Sequence, residues 1–339
     1  MALRPKLEFY KIKLVSTTND YKTFRDFAID ELYQRKPNSN AQIMYKLFDY
    51  FISKLTSNIA KDDRIKKQLK LIKTSANIYL EYKPQVDVDR NIIYGVINGG
   101  RYGRNGMMSD SAAESEDASS FDKNKTILRY YYFLLYLPLD YNEGCLIIHS
   151  NSKEETITEV FKTYIAKLFQ GKYYRKAALF SFCPNSFQKE FEKGAIIKSL
   201  EFCNSYLDNI YTDEGLKSYL KNYEVKIEIK PKKQDIPLSE KSIIQRFIRQ
   251  LGFTRSNDKK DALVNFKSKR MKVNSPSTNS NDSFDIDDEN LEVKPVVFLD
   301  GRITKFNDDE TPNFGELNSY CQNLFINEIL PEIRPDLYV

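Results

Sequence analysis

The stretch Ile127-Leu-Arg-Tyr-Tyr-Tyr-Phe-Leu-Leu-Tyr-Leu137, with Cys145-Leu-Ile-Ile-His149 a short turn later, decides the fold. Both runs are dense in aromatic and branched residues, which suit a packed, pleated surface. Consecutive strands joined by a short turn favour antiparallel pairing. The longest apolar segment, Tyr130 to Leu139, spans about ten residues where a helix crossing a bilayer needs about twenty, so it reads as a buried strand.

Working outward, Leu7 to Leu14 alternates apolar and polar residues with the period of a half-buried strand. A helix over Tyr21 to Lys36 carries Phe24, Phe27, Ala28 and Leu32 on one face, and a second begins at a capping box of Ser39 and Gln42. Short β-rich runs follow at Asn77 to Tyr82 and Ile92 to Ile97. Thr156 and Glu159 form another capping box, opening a helix that ends before Gly171. Strands are expected at Ala177 to Phe182 and Val225 to Ile229. Beyond Pro231 come an amphipathic helix from Ser239 to Leu251, a basic strand-like segment from Ala262 to Val273, and a Ser/Asn/Asp-rich linker at 274–290 that reads as disordered. The chain closes with a strand, Val296 to Leu299, and a helix, Asn313 to Leu330. The pattern predicts an α+β fold: a mostly antiparallel sheet with packed helices over 1–235, and a smaller basic C-terminal module over 236–339.

Composition narrows the chemistry. Of 339 residues 41% are hydrophobic, with 22 Phe and 23 Tyr, enough for a substantial core. Met1 to Lys13 contains no apolar h-region, so the expected location is cytoplasmic. Cys145, Cys183, Cys203 and Cys321 lie far apart without a CxxC pair, which argues against a zinc ribbon or a compact disulfide framework and for buried thiols. His149 is the one histidine, so His-rich metal sites are excluded and a Ser-His-Asp arrangement would have to use it as base. In an apolar strand it reads as a structural residue with a satisfied hydrogen bond. No pattern calls for a cofactor or a metal.

Charge is unevenly distributed. Lys241, Arg246, Arg249, Arg255, Lys259, Lys260, Lys267, Lys269, Arg270 and Lys272 face only Asp258 and Asp261 within 241–273, a local +8 in a chain whose total is +5. Such a cluster is the electrostatic footprint of phosphate-backbone binding, and DNA or RNA is the expected partner. The bland alternative is a solvated face. Nearby, Asp282, Asp285, Asp287, Asp288, Glu289 and Glu292 form an acidic tract able to fold back onto the basic patch. Asn98-Gly-Gly-Arg-Tyr-Gly-Arg-Asn-Gly106 is a second candidate: a glycine loop whose amides could form an anion nest, with Arg101 and Arg104 for charge and Tyr102 for stacking. Glu-x-Lys recurs at Glu81/Lys83, Glu228/Lys230 and Glu292/Lys294. A Mg²⁺-dependent nuclease would use such a pair, with Asp213 or Glu214 beside Glu228 and Lys230 as first choice. Three copies count against specificity, because strand alternation alone produces them.

Ile93-Tyr-Gly-Val-Ile-Asn-Gly-Gly-Arg-Tyr-Gly103, followed by Tyr131 to Pro138 and Gly144 to His149, resembles uncharacterised bacterial proteins found among mobile-element and anti-phage defence genes. The resemblance implies a defence-related setting and transfers no functional residue. Taken together, the expectation is a non-enzymatic nucleic-acid-binding component. The alternatives are a scaffold subunit meeting a protein partner or a second copy of itself, and a Mg²⁺-dependent nuclease.

Overall fold

The computed structural model describes residues 5–18, 20–34, 37, 39–71, 78–109, 118–151, 156–193, 195–204, 225–232, 236–237, 268–275, 280–285, 297–299 and 301–338. Its elements are β1 (Pro5–Lys13), α1 (Phe24–Leu32), α2 (Asn40–Lys54), β2 (Lys61–Asp62), β3 (Lys67–Lys70), β4 (Gln85–Asp87), β5 (Ile92–Arg101), β6 (Gly106–Ser109), β7 (Ala118–Phe121), β8 (Arg129–Tyr136), β9 (Glu143–Asn151), α3 (Thr158–Leu168) and β10 (Ala178–Phe182). They continue with α4 (Asn185–Glu192), β11 (Ile196–Asn204), β12 (Val225–Ile229), β13 (Ile236–Pro237), β14 (Ser268–Ser275), β15 (Ser280–Asp285), β16 (Val297–Phe298) and α5 (Phe314–Leu324). The fold is α+β, as the sequence predicts. Among the described residues no helix is long and apolar enough to cross a membrane.

The chain divides into two compact units, 1–182 with 296–339, and 183–295. The boundary expected after residue 235 falls inside the second unit, and the C-terminal 44 residues belong with the first. The reason lies in the first unit's sheet, which runs β10-β1-β9-β8-β5-β3-β2 with β16 also on β1 and β4 also on β5, all antiparallel. On one face Tyr10, Ile12, Ile93, Ile97, Tyr131, Phe133, Leu135, Leu146 and Ile148 join α1, α2 and α3 in a single apolar cluster. Phe51 and Phe161 pack on Phe133 with ring centroids 5.4 and 5.3 Å away. The other face is covered by the C-terminal segment. Tyr132 donates its hydroxyl to Asn318 Oδ1 at 2.8 Å, Tyr136 meets Phe325 at 4.9 Å, and Phe314, Leu317, Cys321 and Leu324 of α5 are buried. With both faces covered, β8 and β9 are buried almost throughout instead of alternating between buried and exposed.

Several local expectations shift for physical reasons. The first helix starts at Phe24 because Thr23 and Asp26 form the capping box. Ser39 caps α2, accepting from the Gln42 amide at 3.3 Å. The box expected at Thr156 and Glu159 does not form: α3 begins at Thr158 without a side-chain cap. The Glu8 carboxylate, paired with Lys6 at 3.0 Å, lies beside that helix start and accepts from Thr158 Oγ1 (3.2 Å), Ser150 Oγ (2.7 Å) and Tyr10 Oη (2.9 Å). A negative group at a helix N-terminus offsets the unpaired amides there. The strand expected over 77–82 is absent where described; Leu80–Tyr82 is a 3-10 turn, and Tyr79 wedges between Tyr130 (4.7 Å) and Phe314 (4.9 Å).

The second unit is an antiparallel sheet of order β12-β11-β14-β15 with β13 on β11. Leu200, Phe202, Met271 and Val273 are buried, as are Phe187 and Phe191 of α4. The 274–290 segment is not wholly a linker. Asn274 and Ser275 finish β14, and β15 pairs with β14 from Ser280↔Ser275 to Asp285↔Arg270. Main-chain ladder bonds supply the order that its polar composition does not advertise. The helix expected from Ser239 lies outside the described residues.

Arg334 fastens the C-terminal segment to the β8–β9 turn. It is 3% exposed, donates twice to Asp140 at 2.9 Å and to Asp336 at 2.8 Å, and lies 4.8 Å over the Tyr141 ring. Substituting Arg334→Met should lower stability by about 2 kcal/mol, since charge-assisted bonds of this kind contribute about 1.5–3 kcal/mol. Urea unfolding of the two proteins measures the difference.

Candidate anion-binding residues

The glycines of the Asn98–Gly106 segment serve packing before binding. Asn98, Gly99, Gly100 and Arg101 are not loop but the end of β5, paired with β3 from Lys70↔Asn98 to Lys67↔Arg101. A Cβ on Gly99 would stand 2.6 Å from Ile157 Cγ2, and one on Gly100 only 1.9 Å from the Ile127 carbonyl oxygen. Glycine is needed because other chain runs against the strand. The amides that an anion nest would use are also committed: Tyr102 N–H donates to Lys66 O and Gly103 N–H to Lys123 O, both at 2.9 Å. Tyr102 is 9% exposed, so it offers no stacking face for a base. Arg101 ends the strand and Arg104 follows in the turn, both exposed and both with interaction partners of their own.

The basic segment is placed in part. Lys241, Arg246, Arg249, Arg255, Lys259, Lys260 and Lys267 lie outside the described residues. Lys269, Arg270 and Lys272 fall in β14, but not in phase: Lys269 pairs in register with Phe202, while Arg270 pairs with Glu201 and Lys272 with Ser199. Lys272 Nζ lies 2.6 Å from Glu201 Oε1, which also receives Lys226 Nζ at 3.0 Å. Hydrogen bonds from Lys272 and then Lys226 hold the Glu201 carboxyl below its ordinary value. On the other side of β14, Asp285 of the acidic tract stands opposite Arg270 in register. Arg270, Lys272, Lys226 and Lys230 are exposed, but they share their surface with Glu201 and Glu228.

The one histidine and two of the four cysteines are sealed, while Cys203 is half-buried. His149 and Cys145 are 0% exposed, as is Cys321. Burial raises both thiols and pulls His149 down to about 4. The expected hydrogen bond of His149 is not made: neither ring nitrogen meets bonding geometry, although the Asn151 amide is near enough to draw its pKa slightly upward. Asn98 is likewise buried with neither amide atom partnered. Tyr131 and Tyr132 are 1% exposed and act as core. Of the nuclease set, Asp213 and Glu214 lie outside the described residues, as do Glu292 and Lys294. Glu228 is bound to Lys230 at 3.1 Å, and Glu81 sits in a 3-10 turn. Among the described residues no group of three or more His, Cys, Asp or Glu side chains could hold a metal ion.

Comparison of the chain with protein-family models, with curated proteins and with solved structures finds no match.

Two outcomes test this description. Gly100→Ala should destabilise the protein by about 3 kcal/mol through overpacking, measured by urea unfolding; a purely ligand-binding glycine would leave stability nearly unchanged. His149, neutral when folded, gains its proton more readily unfolded, so stability should fall as pH drops from 6.5 towards 4. The loss integrates to about 3 kcal/mol and should vanish in His149→Leu. It precedes protonation of Asp140 and Asp336, both held below 3.8 by Arg334.

Proposed function

We propose that this chain is a non-enzymatic nucleic-acid-binding component, contacting DNA or RNA through the basic segment from Lys241 to Lys272. The observation that carries the reading is the exposed surface of the second unit on β11, β12 and β14. Lys226, Lys230, Arg270 and Lys272 outnumber the carboxylates of Glu201 and Glu228 there, above a buried layer of Leu200, Phe202, Met271 and Val273. Further basic residues of the segment add to that charge in the sequence. A rigid sheet presenting cations at alternate positions suits contact with a phosphate backbone, whose affinity comes from released counterions. The resemblance to bacterial proteins of mobile elements and anti-phage defence supplies the setting.

A second reading, a scaffold subunit with an acidic protein partner, draws on a different observation: Glu201 already holds Lys226 and Lys272, and Asp285 stands opposite Arg270. Cations compensated inside the molecule release fewer counterions.

Filter binding of a labelled oligonucleotide over a salt series separates the two. The nucleic-acid reading expects affinity to fall steeply as salt rises, and Glu201→Gln to tighten binding by about threefold or more by releasing two lysines. No binding at the lowest salt, or affinity indifferent to salt, leaves the scaffold reading.

A further inference from the structure

The structure assigns a second charged site, in the first unit, to the cavity bounded by Lys61, Lys66, Lys123 and Tyr102, and we infer that it binds a compact phosphate-bearing anion such as a small polyphosphate. The cavity measures about 510 Å³ and also touches Asp63, Gln68, Gly103 and Asn124. That is within the range of small-molecule sites, about 300–1,000 Å³. It belongs to the first unit and does not depend on the reading of the basic segment in the second.

The frame is fixed by backbone. Asp62 Oδ1 accepts from the amides of Arg64 (2.9 Å) and Ile65 (3.3 Å), and Lys66 closes the β2–β3 turn with φ +55°. Tyr102 ties that turn to the end of β5: its amide donates to Lys66 O, and its hydroxyl donates to Asp63 Oδ1 at 2.6 Å. Gly103, at φ +88°, turns the chain so that its amide meets Lys123 O. Three separate pieces of chain thus hold their lysines around one opening, and the side chains can adapt while their Cα positions stay put.

Electrostatics argues for an anion. Lys61 Nζ and Lys66 Nζ stand 4.5 and 5.8 Å from the centre of the same Tyr102 ring. Lys61 is paired with Asp63 at 3.1 Å, whereas neither Lys66 nor Lys123 forms an ion pair among the described residues. Three lysines and one aspartate line this concave surface, an excess of two positive charges. Like charges so placed repel one another until an anion enters. This is the opposite of the second unit, where lysines sit on carboxylates. Tyr102 is buried beneath two ammonium groups, so the site reads charge and not a base. The amides of Tyr102 and Gly103 are spent on carbonyls and those of Arg64, Ile65 and Asn124 on aspartate carboxylates, so the lysine side chains do the holding, as flexible point charges.

Isothermal titration of the full chain at low salt with inorganic pyrophosphate, ADP and adenosine tests the proposal. Pyrophosphate should bind with millimolar or better affinity, ADP within about threefold of it, and adenosine not at all. The double variant K66Q/K123Q should weaken pyrophosphate by about tenfold or more, while Asp63→Asn, which keeps an acceptor for the Tyr102 hydroxyl but removes the competing charge, should tighten it. Variants of opposite sign guard against a mere folding defect, and circular dichroism confirms that each is folded. The inference is overturned if pyrophosphate fails to bind the wild type, if adenosine binds in its place, or if both folded variants bind as the wild type does. Because the second unit is untouched, none of these results bears on the basic segment there.

Discussion

Strands β8 and β9 bury side chains on both faces. Tyr131, Phe133, Leu135, Leu146 and Ile148 bury on one face of the central sheet, and Tyr132, Leu134, Tyr136, Cys145 and Ile147 on the other. A sheet in that state needs two covers. Among the described residues the chain supplies one from α1, α2 and α3, and the other from its C-terminal end, where α5 lays Phe314, Leu317, Cys321 and Leu324 over the second face. The requirement explains why 296–339 belongs with the first unit although 113 residues of another unit intervene in sequence. It also explains the buried Arg334 clamp. A segment whose attachment is mostly non-directional packing gains a defined position from the paired bonds to Asp140 and Asp336.

The two charged regions differ in a way that bears on function. In the second unit, cations and carboxylates alternate across strands until Lys226, Lys272, Glu201, Lys230 and Glu228 form a mutually compensated surface with a modest positive excess. In the first unit, the lysines around Tyr102 have one carboxylate among them. Compensation costs little at a sheet surface because register alone brings opposite charges together. Convergence without compensation needs several turns to be aimed at one point, and the hydrogen bonds of Tyr102 and Gly103 do that aiming.

Much of this was legible in the sequence, and the failures share a cause. The alternation of β1, the apolar runs of β8 and β9 and the helical spacing of α1–α3 read correctly because each signal is local in sequence. The helix start at Thr158, the strand ends Gly99 and Gly100, and the return of the C-terminal segment depend on residues far away: Glu8, Ile157 with Ile127, and the second sheet face. The glycine segment looked like a loop because glycine marks both turns and close approaches, and only the neighbour distinguishes them. The basic segment was visible as composition, but its partner Glu201 lies on another strand, so compensation was invisible. Lys61, Lys66 and Lys123 gave no signal, being unremarkable residues in a two-residue strand and two turns until Tyr102 gathers them.

Amide hydrogen exchange on β8 and β9, compared between the full chain and one ending at residue 295, tests the double-cover account most directly. Loss of the C-terminal segment should expose the face bearing Tyr132, Leu134 and Tyr136, and protection of both strands should collapse towards that of an unfolded chain. If those amides stay as protected without residues 296–339 as with them, the second face does not need its cover and the account is wrong.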